Sequence, residues 1–385
     1  MGLRRFCGRA LIVYRGDGDF ATALAVPDDS GILAADGGHR GLFQGSVMDT
    51  NKQWIQATMA HQQTPAVPYD FMFSPPAQRL LEQHYQTDDI VGAIDLPMRM
   101  NAPVSIKPLY ASPAEFGDTV TDEFGVTWST NEIDRGSPVG SCLAEGNLKG
   151  YKFPDPAAGY RFEGLEEWCQ ANKPHYTVIW TGDLWERATF MRGMEHLLTD
   201  VALAPAFVRD LLREITGYIL ATQEILFETC EFDAIAISDD YGSQKGMLMS
   251  PTDWRRLIKP FLAEIYSHAK AHCRATFLHS CGNIYPVIGD LIDIGLDILH
   301  PIQPEAMDIL QLKREFGSSL TFCGGVRTQD LLPRGRPGDI RDEVRMLKRE
   351  MGRGGGYILE TGITIQADVP LENMVALIEE AKAAD

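Results

Sequence analysis

The sequence predicts an α/β fold of the (β/α)8 TIM-barrel type, on three observations. From about residue 175 onward, short apolar runs alternate with longer helical patterns. The runs are apolar on both faces, and no G-x-G-x-x-G follows any of them. Two-sided apolarity suits parallel strands covered by helices on both sides. Alternation with short loops then leaves a doubly wound sheet or a closed barrel. The missing dinucleotide fingerprint weakens the first alternative. Six units after residue 175, with room upstream for two more, favour the barrel.

Residues 1–47 are rich in Gly, Asp and Ala without sustained periodicity, and are expected to be a loosely structured extension preceding a barrel domain over 48–385. A helical pattern opens at Asn51-Lys52-Gln53-Trp54-Ile55, and Val67-Pro68-Tyr69-Asp70-Phe71 reads as a first barrel strand. The region from about 100 to 175 is rich in Pro, Gly and Asp, which predicts long loops and a short hairpin over one barrel end. The later strands are expected at His175–Trp180, Ala234–Ser238, Ala275–His279, Asp297–Ile302, Leu320–Cys323 and Tyr357–Glu360. Between the second and third of these lies the clearest helix. Ser250 suits its N-cap and Pro251 its first position. Trp254, Leu257, Ile258, Phe261, Leu262 and Ile265 then recur at helical spacing. Further helices are expected at about 285–294, 307–316, 339–351 and 371–383.

Composition narrows the function. A formal charge of −18 lacks the basic face of a nucleic-acid binder and disfavours an anionic membrane surface. No apolar stretch approaches the roughly 20 residues of a bilayer span. The apolar stretch Ala10–Val13 after Arg4 and Arg5 is far shorter than a signal-peptide core. A cytoplasmic protein is expected. Seven scattered cysteines do not suggest a disulfide framework, and reduced thiols are available to metals.

In a (β/α)8 barrel the reactive residues sit at the C-terminal ends of the strands. Those ends carry Ser238-Asp239-Asp240, His279-Ser280-Cys281-Gly282, then His300, Gln303 and Glu305, then Cys323-Gly324-Gly325, and finally Glu360-Thr361-Gly362. Residues two apart on a strand share a face, so His279 and Cys281 would converge on one ion, and zinc accepts both. The opposing reading is two core residues, since both types are common in interiors. Asp239 and Asp240 are either polar site residues or loop carboxylates bonding backbone amides. Cys323 follows an apolar run and reads as a core thiol; His300 has no assignment.

These residues also resemble a known family. The stretches "SDDYGSQKGMLMSPTDWRRLIKP", "FLHSCGNIYPVIGDLIDIGLDILHPIQPEAMD", "LTFCGGVRTQDLLP" and "GGGYILETGITIQADVPLENMVALIEEA" are similar to the uroporphyrinogen decarboxylase-like superfamily. "VPYDF", "DEFGVTW" and "RATFMRGMEHLLTD" extend the likeness over most of the chain after Met48. The resemblance implies a (β/α)8 barrel, and either a decarboxylase or a corrinoid-linked methyltransferase. The decarboxylase branch carries an N-terminal Arg-Gln-Ala-Gly-Arg segment, which is missing here. The methyltransferase branch carries H-x-C, which His279 and Cys281 match. That branch usually has a further cysteine in its last strand, where this chain has "LETGITI" with Ile363 near the position. Glu360 or Glu305 is therefore expected to complete a zinc site with His279 and Cys281. Asp239, Asp240 and Gln244 are expected at the substrate.

The resemblance thus implies a zinc-dependent methyltransferase working between a small O- or N-methyl compound and a corrinoid carried by a separate protein. Two alternatives stand beside it. One is a uroporphyrinogen decarboxylase, which would need arginines at the mouth, with Arg99, Arg192 and Arg327 the nearest in sequence. The other is a non-catalytic ligand- or corrinoid-binding barrel.

Overall fold

The computed structural model describes residues 50–384; the expected extension over 1–47 and its boundary with the barrel lie outside the described residues. Seven parallel strands follow one another around a single sheet in chain order. They are β1 (Met98–Asn101), β2 (Tyr176–Asp183), β3 (Ala234–Ser238), β4 (Ala275–His279), β5 (Ile298–Ile302), β6 (Thr321–Val326) and β7 (Tyr357–Thr361). An eighth stave runs over residues 67–73, joined to the last strand through parallel bridges from Tyr69 to Leu359 and from Phe73 to Ile365. It falls where the first strand is expected, but as a bridged segment without a full ladder. Pro68 has no N–H to donate there. The chain is a (β/α)8 barrel.

Alternate residues of the strands fill its interior. Met98, Val178, Ala236, Phe277, Ile298 and Ile358 form one buried cluster, and Ile55 joins it from the helix Asn51–Met59. That helix is capped by Thr50, whose side chain accepts from Gln53 N. It closes the N-terminal end of the barrel, with Lys52 N donating to Pro174 O and Gly356 N to Thr58 O. The C-terminal end is left for chemistry.

A second, larger apolar cluster lies between the strands and the outer helices, among them Pro205–Thr229, Pro337–Met351 and Leu371–Lys382. The helix expected after Ser250 is present as two, Pro251–Leu257 and Lys259–Ala271. Pro260 explains the break, because its ring cannot follow on from an unbroken α-helical turn and it offers no N–H. Ser250 Oγ accepts from Asp253 N at 3.0 Å, as its N-cap role requires. The expected hairpin of the middle region is a three-stranded antiparallel sheet, Thr119–Thr121, Thr127–Ser129 and Pro138–Gly140. Arg187 fastens it over the C-terminal face, bonding Asp122 of the sheet at 2.8 Å and Asp183 at the end of β2 at 3.0 Å. Among the described residues no helix is long and apolar enough to cross a membrane.

Candidate functional site

Strand parity decides which side chains reach the barrel mouth. On β4, Phe277 faces the interior, so His279 and then Cys281 continue that face. On β3, Ala234 and Ala236 face inward, which carries Ser238 and Asp240 to the mouth and sends Asp239 the other way. The ligand atoms of Asp240, His279 and Cys281 all lie within 4.8 Å of one another. His279 Nε2 is 3.5 Å from Cys281 Sγ and 3.7 Å from Asp240 Oδ1. Cys281 N donates to Asp240 Oδ1 at 2.8 Å, which ties the two strand ends together.

Gly282 makes the turn after Cys281 possible. Its φ is +80°, and a Cβ there would stand 2.6 Å from the carbonyl carbon of Gly242. Gly242 begins a tight hairpin, residues 242–247, laid against this turn, and Asn283 N donates to Ser243 O at 2.8 Å. Gln303, after β5, accepts from Gly282 N at 2.6 Å and holds the turn from the other side.

Behind His279 runs a chain of buried polar groups. His279 Nδ1 lies 3.0 Å from His300 Nδ1, and His300 Nε2 lies 2.8 Å from Glu360 Oε2. The two histidines face each other because β4 and β5 pair in register at these residues. Protons can occupy this chain in two ways. With Glu360 ionised, His300 Nε2–H donates to it, His279 Nδ1–H donates to His300, and His279 Nε2 keeps its lone pair for the mouth. With Glu360 protonated, every donor reverses and Nε2 carries a proton. Burial pushes Glu360 well above the ordinary carboxyl range and His300 down to about 3.

Electrostatics at the mouth favour a bound cation. Burial, with help from His300, lowers His279 to about 4, so its imidazole is a neutral donor. Burial and the neighbouring Asp240 and Glu186 carboxylates push the Cys281 thiol far up. Burial raises Asp240 as well. Burial would raise Glu186 too, but Arg135 at 2.8 Å and the Ser238 hydroxyl at 2.7 Å overcome it and hold the carboxyl below its usual value. Two carboxylates, a thiol and a neutral imidazole thus crowd one half-buried spot. A divalent cation reverses each of these penalties, since it favours thiolate, carboxylate and neutral imidazole together. The donor set fits zinc, with positions left open for a ligand.

The other expected site residues lie elsewhere. Asp239 is wholly buried behind the strand: Oδ1 accepts from Leu184 N at 2.9 Å and Glu186 N at 3.0 Å, and Oδ2 from the Tyr241 hydroxyl. It builds the loop after β2 and has no face toward a substrate. Glu305 does not join the His279–Cys281 group; its Oε1 accepts from Thr328 N and Gln329 N, buttressing the loop after β6. Glu360 lies within β7, in register with Gly325, and reaches the mouth only through His300. Gln244 sits exposed at the tip of the 242–247 hairpin. Cys323 is the core thiol it was expected to be, fully enclosed in the barrel interior. Of the arginines nearest in sequence, Arg99 bonds the carbonyls of Leu96 and Met98, Arg192 pairs with Asp200, and Arg327 with Glu343.

Residues 181–384, more than half of the chain, match the uroporphyrinogen decarboxylase (URO-D) family. The chain belongs to this family. Over 146 residues it is 28% identical to the methylcobamide:CoM methyltransferase MtaA of Methanosarcina barkeri, and 27% identical to the same enzyme from the Fusaro strain. Each alignment covers 38% of this chain, and it spans only about 40% of the length of these relatives. A solved methyltransferase structure from Methanosarcina mazei superposes with a TM-score of 0.65 over 86% of this chain and 98% of that one, at 18% identity. At that identity the likeness shows a shared barrel. Within this URO-D chain, Glu186, Arg135 and His300 are the site residues that sequence reasoning passed over. His300 carried a readable signal, since it ends β5 at the register where His279 ends β4. Arg135 carried none, because only the sheet folded over the mouth brings it near.

Proposed function

We propose that this chain is a zinc-dependent methyltransferase that moves a methyl group between a small O- or N-methyl compound and the corrinoid of a separate protein. The observation that carries this reading is the convergence of Asp240, His279 and Cys281 at the mouth of a URO-D-family barrel. The similarity to methylcobamide:CoM methyltransferases supports methyl transfer over decarboxylation. Asp240, rather than Glu305 or Glu360, completes the donor set in this proposal.

Zinc held there would supply a Lewis acid for the heteroatom that gains or loses the methyl group. The chain's own residues do the rest. For His279 Nε2 to face the mouth as a lone pair, Nδ1 must carry the proton and donate it to His300, with Glu360 ionised at the far end; a cation at the mouth would favour that arrangement over the protonated Glu360 that burial alone favours. Glu186, fixed by Arg135 and Ser238, presents an ionised carboxylate beside the reacting centre. Trp180 stands against His279, with ring centres 6.3 Å apart. It also lines a cavity with Phe124, Arg161, Asp183 and Tyr218, which offers apolar and polar walls to a small substrate.

The test combines metal and methyl readouts. Purified chain is expected to hold zinc at this site and to convert cob(I)alamin to methylcobalamin, followed spectrally, with a methoxylated or methylamine compound. No carbon dioxide is expected from uroporphyrinogen. Robust turnover of uroporphyrinogen that survives Cys281→Ala overturns the proposal.

A further inference from the structure

A second group of metal donors lies outside the barrel, on the helix layer. His268 and His272 occupy the last turn and the C-cap of the helix Lys259–Ala271, and Glu224 comes from the neighbouring helix Pro205–Thr229. Their ligand atoms lie within 4.8 Å of one another, with Glu224 Oε2 at 3.1 Å from His268 Nε2 and 3.9 Å from His272 Nε2. Residues four apart on a helix share a face, and this spacing turns both imidazoles toward the same carboxylate.

The second nitrogen of each ring fixes its tautomer. His272 Nδ1 lies 3.0 Å from the backbone carbonyl of His268, which can only accept, so Nδ1 carries the hydrogen. His268 Nδ1 lies 3.0 Å from Gln223 Oε1. The orientation of that buried amide is set from behind: its Nε2 donates to Thr181 Oγ1, whose own hydroxyl is directed at Ala236 O. His268 therefore also carries its hydrogen on Nδ1. Both Nε2 atoms are left as lone pairs facing a carboxylate oxygen, three acceptors converging with no donor between them. A cation at the centre would satisfy all three lone pairs at once. Phe227 stacks on the His272 ring, with centres 4.4 Å apart and planes at 24°, which holds the donor in place.

We propose that Glu224, His268 and His272 form a second metal site, for a zinc-class divalent cation. Ligand bonds of about 2.0–2.1 Å put donors of a tetrahedral ion roughly 3.3 Å apart, between the two distances observed. The hydrogen bonds from both Nδ1 atoms to oxygen acceptors are the outer support that metal-bound histidines ordinarily have. The ion would clamp two adjacent helices near the N-terminal end of β4, away from the mouth. Its open positions face solvent on the side of the exposed Glu224.

The experiment separates this site from the one at the mouth. The full-length chain carrying Cys281→Ala and His279→Ala is stripped with chelator and titrated with zinc and with cobalt(II), reading bound equivalents after gel filtration and the cobalt ligand-field bands. One retained equivalent is expected. Adding His272→Ala should abolish it, and adding Glu224→Gln should weaken it at least about tenfold, with circular dichroism unchanged. Glu224→Gln keeps the size of an exposed side chain, so it reports even if His272→Ala folds poorly. No retained equivalent in the parent variant, or equal binding in all three, overturns the site. Neither outcome bears on the mouth, which is judged from the wild-type chain against Cys281→Ala.

Discussion

The barrel holds two trios built from the same donor types. Asp240, His279 and Cys281 stand at the mouth, each half-buried. His300, Cys323 and Glu360 lie one layer deeper, all buried. Ligand chemistry is alike in both, and what differs is which lone pairs are already committed. His300 has both nitrogens engaged, one with His279 and one with Glu360. At the mouth, His279 Nε2, Cys281 Sγ and the Asp240 carboxylate face one another where solvent and substrate can reach. A buried trio with satisfied partners is a support, whereas a rim trio with converging lone pairs is a site.

The largest expected effect comes from breaking the rim trio directly. Cys281→Ala should remove the mouth zinc and reduce methyl transfer by at least about 100-fold, because a direct donor is worth no less than the hydrogen bonds that support it. Elemental analysis alongside cobalamin spectra checks this. Undiminished zinc in a chain that also carries His272→Ala would return Cys281 to the core-residue reading.

Next in size is Gly282→Ala. A left-handed φ and a Cβ 2.6 Å from Gly242 backbone leave no room for relief without moving the strand end. The expected cost is roughly 2–4 kcal/mol in denaturant unfolding, together with weaker zinc binding as Cys281 shifts. Normal stability would mean that the hairpin over the turn yields easily.

Inside the deeper trio, His300 and Cys323 have different roles that single changes can separate. His300→Asn should weaken zinc at the mouth about 10- to 100-fold without contacting it, since His279 loses the acceptor that fixes its tautomer. Cys323→Ala should leave zinc affinity unchanged and cost about 1–2 kcal/mol of stability as a small cavity in the interior. If both variants alter zinc binding equally, the deeper trio is itself a metal site.

Much of this was legible in the sequence, and the failures have physical causes. Two-sided apolar runs located six strands to within a few residues, and His279 with Cys281 followed from the two-residue strand period. The same period, continued from Ala234 and Ala236, would have separated Asp239 from Asp240. Adjacent carboxylates are equivalent in composition and differ only in the parity that the strand imposes on them. Glu305 could not be placed this way, because the β5–β6 pairing shifts register between Leu299 and Ile302 and parity fails beyond a shift. Glu360 is not the strand end that the apolar run suggests: β7 runs on through Thr361, and the carboxylate stays inside. Arg135 and Glu186 meet only through the sheet folded over the mouth, a contact 51 residues apart in the chain.

The smallest expected effect belongs to Gln244, the one expected substrate residue that lies on the rim hairpin. Its side chain is exposed at the hairpin tip, and the contacts that seat this hairpin on the Cys281–Gly282 turn are backbone ones, from Gly242 and Ser243. Gln244→Ala therefore removes no packing and no support for the metal donors. Stability should stay within about 0.5 kcal/mol of the parent, with zinc content unchanged and kcat altered less than about twofold, as for surface positions away from the chemistry. The informative quantity is KM. A rise of tenfold at constant kcat and constant zinc would mean that the hairpin closes over bound substrate and that Gln244 touches its non-reacting end. An unchanged KM would leave substrate contact to the inward-facing side chains alone, and would confine the chemistry of this rim to residues whose parity sends them into the barrel.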